Sequence, residues 1–134
     1  WRKSKRLYYR HRSYCRSGAV YEGRVSYFDD GVTASGMSAA YNAGLAINPV
    51  PGTGAWNSPL TQSWMTAARN GRPVYVRVWV AGKSGVFPII DVGPHSSVGR
   101  ALDFSGPAVD ALGLPRAAFP TDSWGTAKVI PAGC

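Results

Sequence analysis

Acidic residues are scarce in this chain. Seven Asp and Glu stand against 15 Lys and Arg, and Glu22 is the single glutamate. Histidine and cysteine number two each. Neither a CxxC pair nor a histidine cluster occurs, so no metal site is implied. A P-loop and a Rossmann fingerprint are missing, so no cofactor is implied either. Without a GxSxG elbow, no Ser–His–Asp set is persuasive. No apolar run approaches the roughly 20 residues that cross a bilayer, which excludes a transmembrane helix. No secretory leader is visible, and with Trp1 in place of Met the chain reads as a mature or excised piece of something longer.

Glycine and proline are abundant, at 16 and 10 residues. They divide the chain into short elements, rule out a helical bundle and favour a β-rich fold. At 134 residues and 45% hydrophobic, the chain makes one domain that buries roughly two-thirds of its unfolded surface. Wholesale disorder is excluded by the same composition.

The net charge of +8 is unevenly spread. Residues 1–16 hold seven basic side chains and no acid; the rest hold eight basic and seven acidic, a net of +1. Residues 1–22 therefore read as a basic, aromatic arm and 23–134 as the folded domain. Tyr8, Tyr9, His11 and Tyr14 are interleaved with the arm's charges. Three readings stay open for it: a solvated linker, an arm that docks on a protein assembly, or a polyanion binder. Cys15 and Cys134 bracket the domain. They are either two free thiols or one disulfide, and the even count at opposite ends points to the disulfide. A disulfide implies an oxidising compartment or an extracellular particle.

Along the chain, Gly23–Phe28 reads as a strand and Asp29-Asp30-Gly31 as a turn. Gly44–Ile47 is a short apolar run stopped by Asn48-Pro49. Ser58-Pro59 caps and opens a helix over 59–70, with Asn70-Gly71 as its stop. Leu60, Trp64, Ala67 and Ala68 form its apolar stripe, which makes Trp64 a core residue. Val74–Val80 alternates at period two, with the valines on one face and Tyr75, Arg77 and Trp79 on the other. Residues 81–85 form a turn. Val86–Ile90 is a strand that Pro88 places at an edge or irregularity. Ala101–Phe104 is a short buried strand or strand end, Ser105 caps a helix over about 107–112, and Gly125–Ile130 closes the domain. About six strands with crossovers and two short helices predict a small closed barrel.

Among the acids, Asp29, Asp30, Asp110, Asp122 and Glu22 have ready structural roles in turns, loops and exposed faces. Asp91 and Asp103 differ, because each follows an apolar run and so ends a strand. Partial desolvation there suits acid/base work, and paired carboxylates are the usual equipment for glycosidic cleavage. The Gly/Pro/Ser-rich loop between them would bring both to one cleft. Arg100 is the structural alternative, as a salt-bridge partner of either. His95 is a proton-shuttle candidate or a surface-loop histidine.

The segment Ile90-Asp91-Val92-Gly93-Pro94, then Gly99-Arg100-Ala101-Leu102-Asp103-Phe104-Ser105 and Ala108–Gly113, resembles the double-psi β-barrel of rare lipoprotein A. Val25–Phe28 and Thr33-Ala34-Ser35-Gly36 are similar to that family's first strand and T-A-S-G loop. Gly44–Pro49 is more similar to the related 3D domain of membrane-bound lytic transglycosylase A and of Gram-positive cell-wall proteins. Expansins and family-45 glycoside hydrolases share the barrel. The resemblance covers about residues 23–131 and skips 50–72, where a loop and helix are inserted.

The resemblance implies a mainly β fold: a six-stranded double-psi barrel with two short helices and a basic N-terminal arm. It implies a peptidoglycan-directed, lytic transglycosylase-like activity on cell-wall glycan strands, outside the cytoplasm (secreted, periplasmic or in the envelope). Asp91 and Asp103 become the catalytic candidates. Tyr27, Thr33, Ser35, Asn48, His95 and Arg100 become the substrate-binding candidates. Two departures stand out. Met37 replaces the Glu after T-A-S-G, and Asn48 replaces an aspartate or histidine; an amide positions substrate but transfers no proton at neutral pH. The alternative is therefore a non-catalytic glycan-binding or attachment module of a larger assembly, such as a phage tail tip or envelope complex, in which case the chain is virion-associated.

Overall fold

The computed structural model describes residues 13–29, 31–94 and 99–134. Residues 1–12 of the arm, Asp30 and His95 lie outside the described residues. Six strands form a closed barrel, so no strand is left as an edge. They are β1 (Val20–Phe28), β2 (Leu45–Ile47), β3 (Tyr75–Val80), β4 (Lys83–Val92), β5 (Arg100–Ser105) and β6 (Trp124–Ile130). The order around the barrel is β1-β5-β2-β4-β3-β6. β1/β5 and β2/β4 are parallel, and every other pair is antiparallel. The fold is thus the mostly β, six-stranded closed barrel with short helices that the sequence predicts.

β1 starts at Val20, because Val20–Glu22 pair with Lys128–Thr126 of β6. The hairpin between β3 and β4 is tighter than the predicted 81–85 turn. Ala81 and Gly82 both have positive φ (50° and 74°), the two-residue geometry whose twist matches paired strands. The tight turn extends β4 back to Lys83. Pro88 sits one residue before β4 begins to pair with β2, beside a register shift, which is the predicted irregularity within a strand that has neighbours on both sides. Gly125 lets β6 close: a Cβ there would lie 2.5 Å from Val25 Cγ1.

Helix α1 (Pro59–Arg69) carries the predicted cap. Ser58 and Thr61 form a reciprocal capping box, and Pro59 opens the first turn. Its buried face is Thr61, Trp64, Met65 and Ala68, whereas Leu60 is 43% exposed. The predicted stripe shares Trp64 and Ala68 with the real one but is rotated about one residue. Trp64 stacks edge-on with Tyr21 of β1, the ring centroids 5.6 Å apart, and joins the barrel core. Helix α2 (Gly106–Ala111) is capped by Ser105, as predicted. The Ser105 hydroxyl is wholly buried; it accepts from Gly44 N and donates to Asn42 O, tying the loop before β2 to the end of β5. The core is built from Val25, Leu45, Ile47, Ile89, Leu102, Phe104 and their neighbours.

Cys15 and Cys134 form a disulfide with Cα atoms 5.7 Å apart and a sequence separation of 119. In the loop-entropy model such a crosslink stabilises the fold by roughly 5 kcal/mol. Among the described residues no helix is long and apolar enough to cross a membrane.

Candidate functional site

The site follows from strand alternation. Val25 and the β5 residues Leu102 and Phe104 point into the core, as do Leu45, Ile47 and Ile89. On β1, β5 and β2 the side chains of opposite parity face away from that core. On β4 Asp91 shares the parity of Ile89, and the register shift between those two positions resets the alternation and brings Asp91 opposite Ala46. In register, Ser26 pairs with Asp103, Asp103 with Ala46, and Ala46 with Asp91. These four residues make one transverse row across β1, β5, β2 and β4, in which Ser26 and Ala46 are buried (8% and 1% exposed) and the two aspartates are half-buried. The two carboxylates flank Ala46 from opposite sides. Their backbones lie two strand spacings apart, roughly 10 Å.

Both carboxylates are half-buried, and each is oriented by a neighbour. Ser26 donates its hydroxyl to Asp103 Oδ1 at 3.1 Å. Asp91 Oδ1 accepts from its own strand at Val92 N, 2.8 Å, and from Ala34 N, 2.9 Å. The second bond clamps the 33–36 loop over the row. Arg69, the last residue of α1, completes the clamp by donating from Nε and Nη2 to Ala34 O at 3.2 and 2.7 Å. Ser35 N also reaches Ile90 O at 3.3 Å. The inserted segment 50–72 therefore braces this wall through Arg69.

The other candidates occupy different positions. Thr33 and Ser35 are buried, and their hydroxyls meet each other at 2.9 Å. Thr33 Oγ1 also bonds Met37 O, and Ser35 Oγ accepts from Met37 N. Both hydroxyls thus shape the loop from within. Asn48 is completely buried: its amide donates to Pro94 O and accepts from Val50 N, joining the end of β2 to the turn after β4. Tyr27 has the opposite parity to Ser26, and its ring packs on Phe119 at 5.3 Å. His95 lies outside the described residues.

Arg100 binds neither Asp91 nor Asp103 in an ion pair. It bonds Asp122 at 2.9 Å, because the 121–123 loop returns beside β1 and β5. That hydrogen bond is the main cause of a raised Arg100 pKa and a lowered Asp122 pKa; the Asp103 charge adds a smaller upward push on Arg100. The sequence reading missed Ser26, which only the β1/β5 register reveals, and Arg69, which looks like an ordinary C-terminal helix charge.

No family model matches the chain, and no curated protein matches it by sequence. Among solved structures it is similar to the Streptomyces papain inhibitor, with a TM-score of 0.57 and 23% identity over 85% of this chain and 96% of that one. At that identity the likeness concerns the barrel fold alone.

Proposed function

We propose that this barrel is a peptidoglycan-directed module, related to the rare lipoprotein A and 3D-domain barrels, that engages cell-wall glycan along the Ser26–Asp103–Ala46–Asp91 row. The observation that carries the proposal is the pairing of Asp91 and Asp103 across Ala46, with both carboxylates half-buried and held by hydrogen bonds. A spacing of roughly 10 Å between the backbones admits a sugar ring. In the cleaving form, Asp91 gives its proton to the glycosidic oxygen as the C1–O bond breaks. The C6 hydroxyl then closes on C1 and gives its proton back to the Asp91 carboxylate, leaving a 1,6-anhydro end without water, while Asp103 orients the sugar. The disulfide suits the oxidising setting of an extracytoplasmic protein.

A second reading keeps the grip without the cut. Asn48, Thr33 and Ser35 spend their polar atoms on the protein itself, and Met37 brings no carboxylate. Among the described residues the row then offers two acids and the Ser26 hydroxyl, as a binding or attachment module would. Protein capture is the third option, favoured only by the name of the papain inhibitor whose fold is similar.

Mass spectrometry of purified sacculi incubated with the chain separates these readings. Anhydro-muropeptides from the wild type but not from Asp91→Asn identify the transglycosylase. Retention on sacculi with no soluble product identifies the binding module. Absence of both product and retention rejects a glycan function.

A further inference from the structure

Another wall of the barrel carries an apolar cavity. A cavity of about 570 Å³ opens between the start of β3, the middle of β4 and the C-terminal residues 129–134. It lies away from the Asp91–Asp103 row, since neither aspartate lines it. The lining is apolar for most of its extent, with Val74, Val86, Ile130 and Pro131 prominent, and Arg72 brings the one charged side chain in it. That volume falls within the range of small-ligand sites.

The flank of the cavity is cationic. Tyr75 and Ile130, both in the lining, are cross-strand partners. The next outward row, about 7 Å further along the strands, pairs Arg77 directly with Lys128. Arg77 also faces Val86, again in the lining. Two like charges directly opposite each other across a ladder destabilise a sheet. Among the described residues the ion pairs are Arg100–Asp122 and Arg116–Asp110, so none of Arg72, Arg77 and Lys128 is neutralised by an acid. An apolar trough edged by three unneutralised cations is complementary to an apolar body bearing a carboxylate.

The shape selects between a peptide and an acyl chain. Tyr75 is 46% and Val86 43% exposed, so the trough is shallow. An acyl chain lying there would leave much of its length in water, which is costly. A short peptide with small apolar side chains would keep its amides in water and bury only its methyl groups. We propose that this trough binds the carboxylate end of a short apolar peptide, the chemistry of the peptide stems of peptidoglycan. The source of the peptide, though not the trough chemistry, rests on the glycan reading above.

The test is calorimetric titration of the disulfide-bonded chain with N-acetyl-D-alanyl-D-alanine, as the free acid and as the C-terminal amide, with sodium laurate alongside. The acid is expected to bind at least tenfold more tightly than the amide. The difference should vanish in Arg72→Gln and in the double variant Arg77→Gln/Lys128→Gln. The double variant should melt no lower than the wild type, because a repulsive pair has been removed. Equal binding of acid and amide, no binding of either, or tighter binding of laurate overturns the proposal. Retention on glycan stripped of its peptides reports on the Asp91–Asp103 row alone. Its loss with the dipeptide preference intact sinks the glycan reading; its persistence without that preference sinks the trough.

Discussion

Asp91 and Asp103 sit on opposite sides of Ala46 in one transverse row, although they belong to strands that are not neighbours in the barrel. The short strand β2 puts them there, by pairing parallel to β4 and antiparallel to β5. The distance between the two carboxylates is thus set by the backbone ladder, with their direction set by Ser26 on one side and by Ala34 and Val92 on the other.

Asp91 is both a candidate acid and the anchor of the 33–36 loop, and two substitutions separate the roles. Asp91→Ala leaves the Ala34 and Val92 N–H groups without their acceptor and is expected to cost about 1 to 3 kcal/mol. Asp91→Asn keeps an acceptor oxygen and is expected to cost less than about 1 kcal/mol, while abolishing any proton transfer. Urea unfolding of the three proteins checks the order; equal stability of the alanine variant and wild type contradicts the anchor role.

Arg69 holds the same loop from the other side. Arg69→Ala removes two charge-assisted bonds to Ala34 O. Because the site is exposed, global stability should change by no more than about 1 kcal/mol. Amide hydrogen exchange at Ala34 should quicken by tenfold or more, and glycan retention should fall with it. Unchanged exchange at Ala34 would mean that the loop stands without its brace.

Stability at low pH should follow the two exposed ion pairs. Arg100 and Arg116 depress the pKa values of Asp122 and Asp110 through hydrogen bonds. A depressed folded-state pKa contributes stability above the unfolded value of about 3.9, and that contribution is lost as pH falls through the folded value. The double variant Asp110→Asn/Asp122→Asn should therefore show a flatter acid limb below about pH 4 than the wild type. The difference should shrink in high salt. A limb of unchanged slope would assign acid sensitivity to other carboxylates.

Much of the barrel is legible in the chain because its signals are local. Ser58-Pro59 and Asn70-Gly71 bound α1, and the alternation from Val74 to Val80 gives β3 and its buried face. The α1 stripe differs from the expected one at Leu60 because two helical stripes share Trp64 and Ala68, and only packing on the barrel, which buries Thr61 and Met65, decides between them. From the chain alone Arg100 reads as a partner of Asp91 or Asp103, whereas its partner Asp122 lies 22 residues away and is brought back by the last loop. Asn48 reads equally well as a sugar contact or as a buried strut, and the turn at Pro94 makes it a strut. Asp91 and Asp103 stand out because acids are few and each follows an apolar run. Asp91 is next to the end of β4, whereas Asp103 lies inside β5 and not at a strand end; that they share a row depends on β2, three residues long.

The most direct test of the account is amide chemical-shift mapping on the labelled chain titrated with soluble, peptide-free glycan oligomers. The account predicts saturable shifts at Ser26, Ala34, Ala46, Val92 and Asp103, lost in Asp91→Ala/Asp103→Ala. Shifts confined to another wall of the barrel, or none at millimolar oligomer, would contradict it.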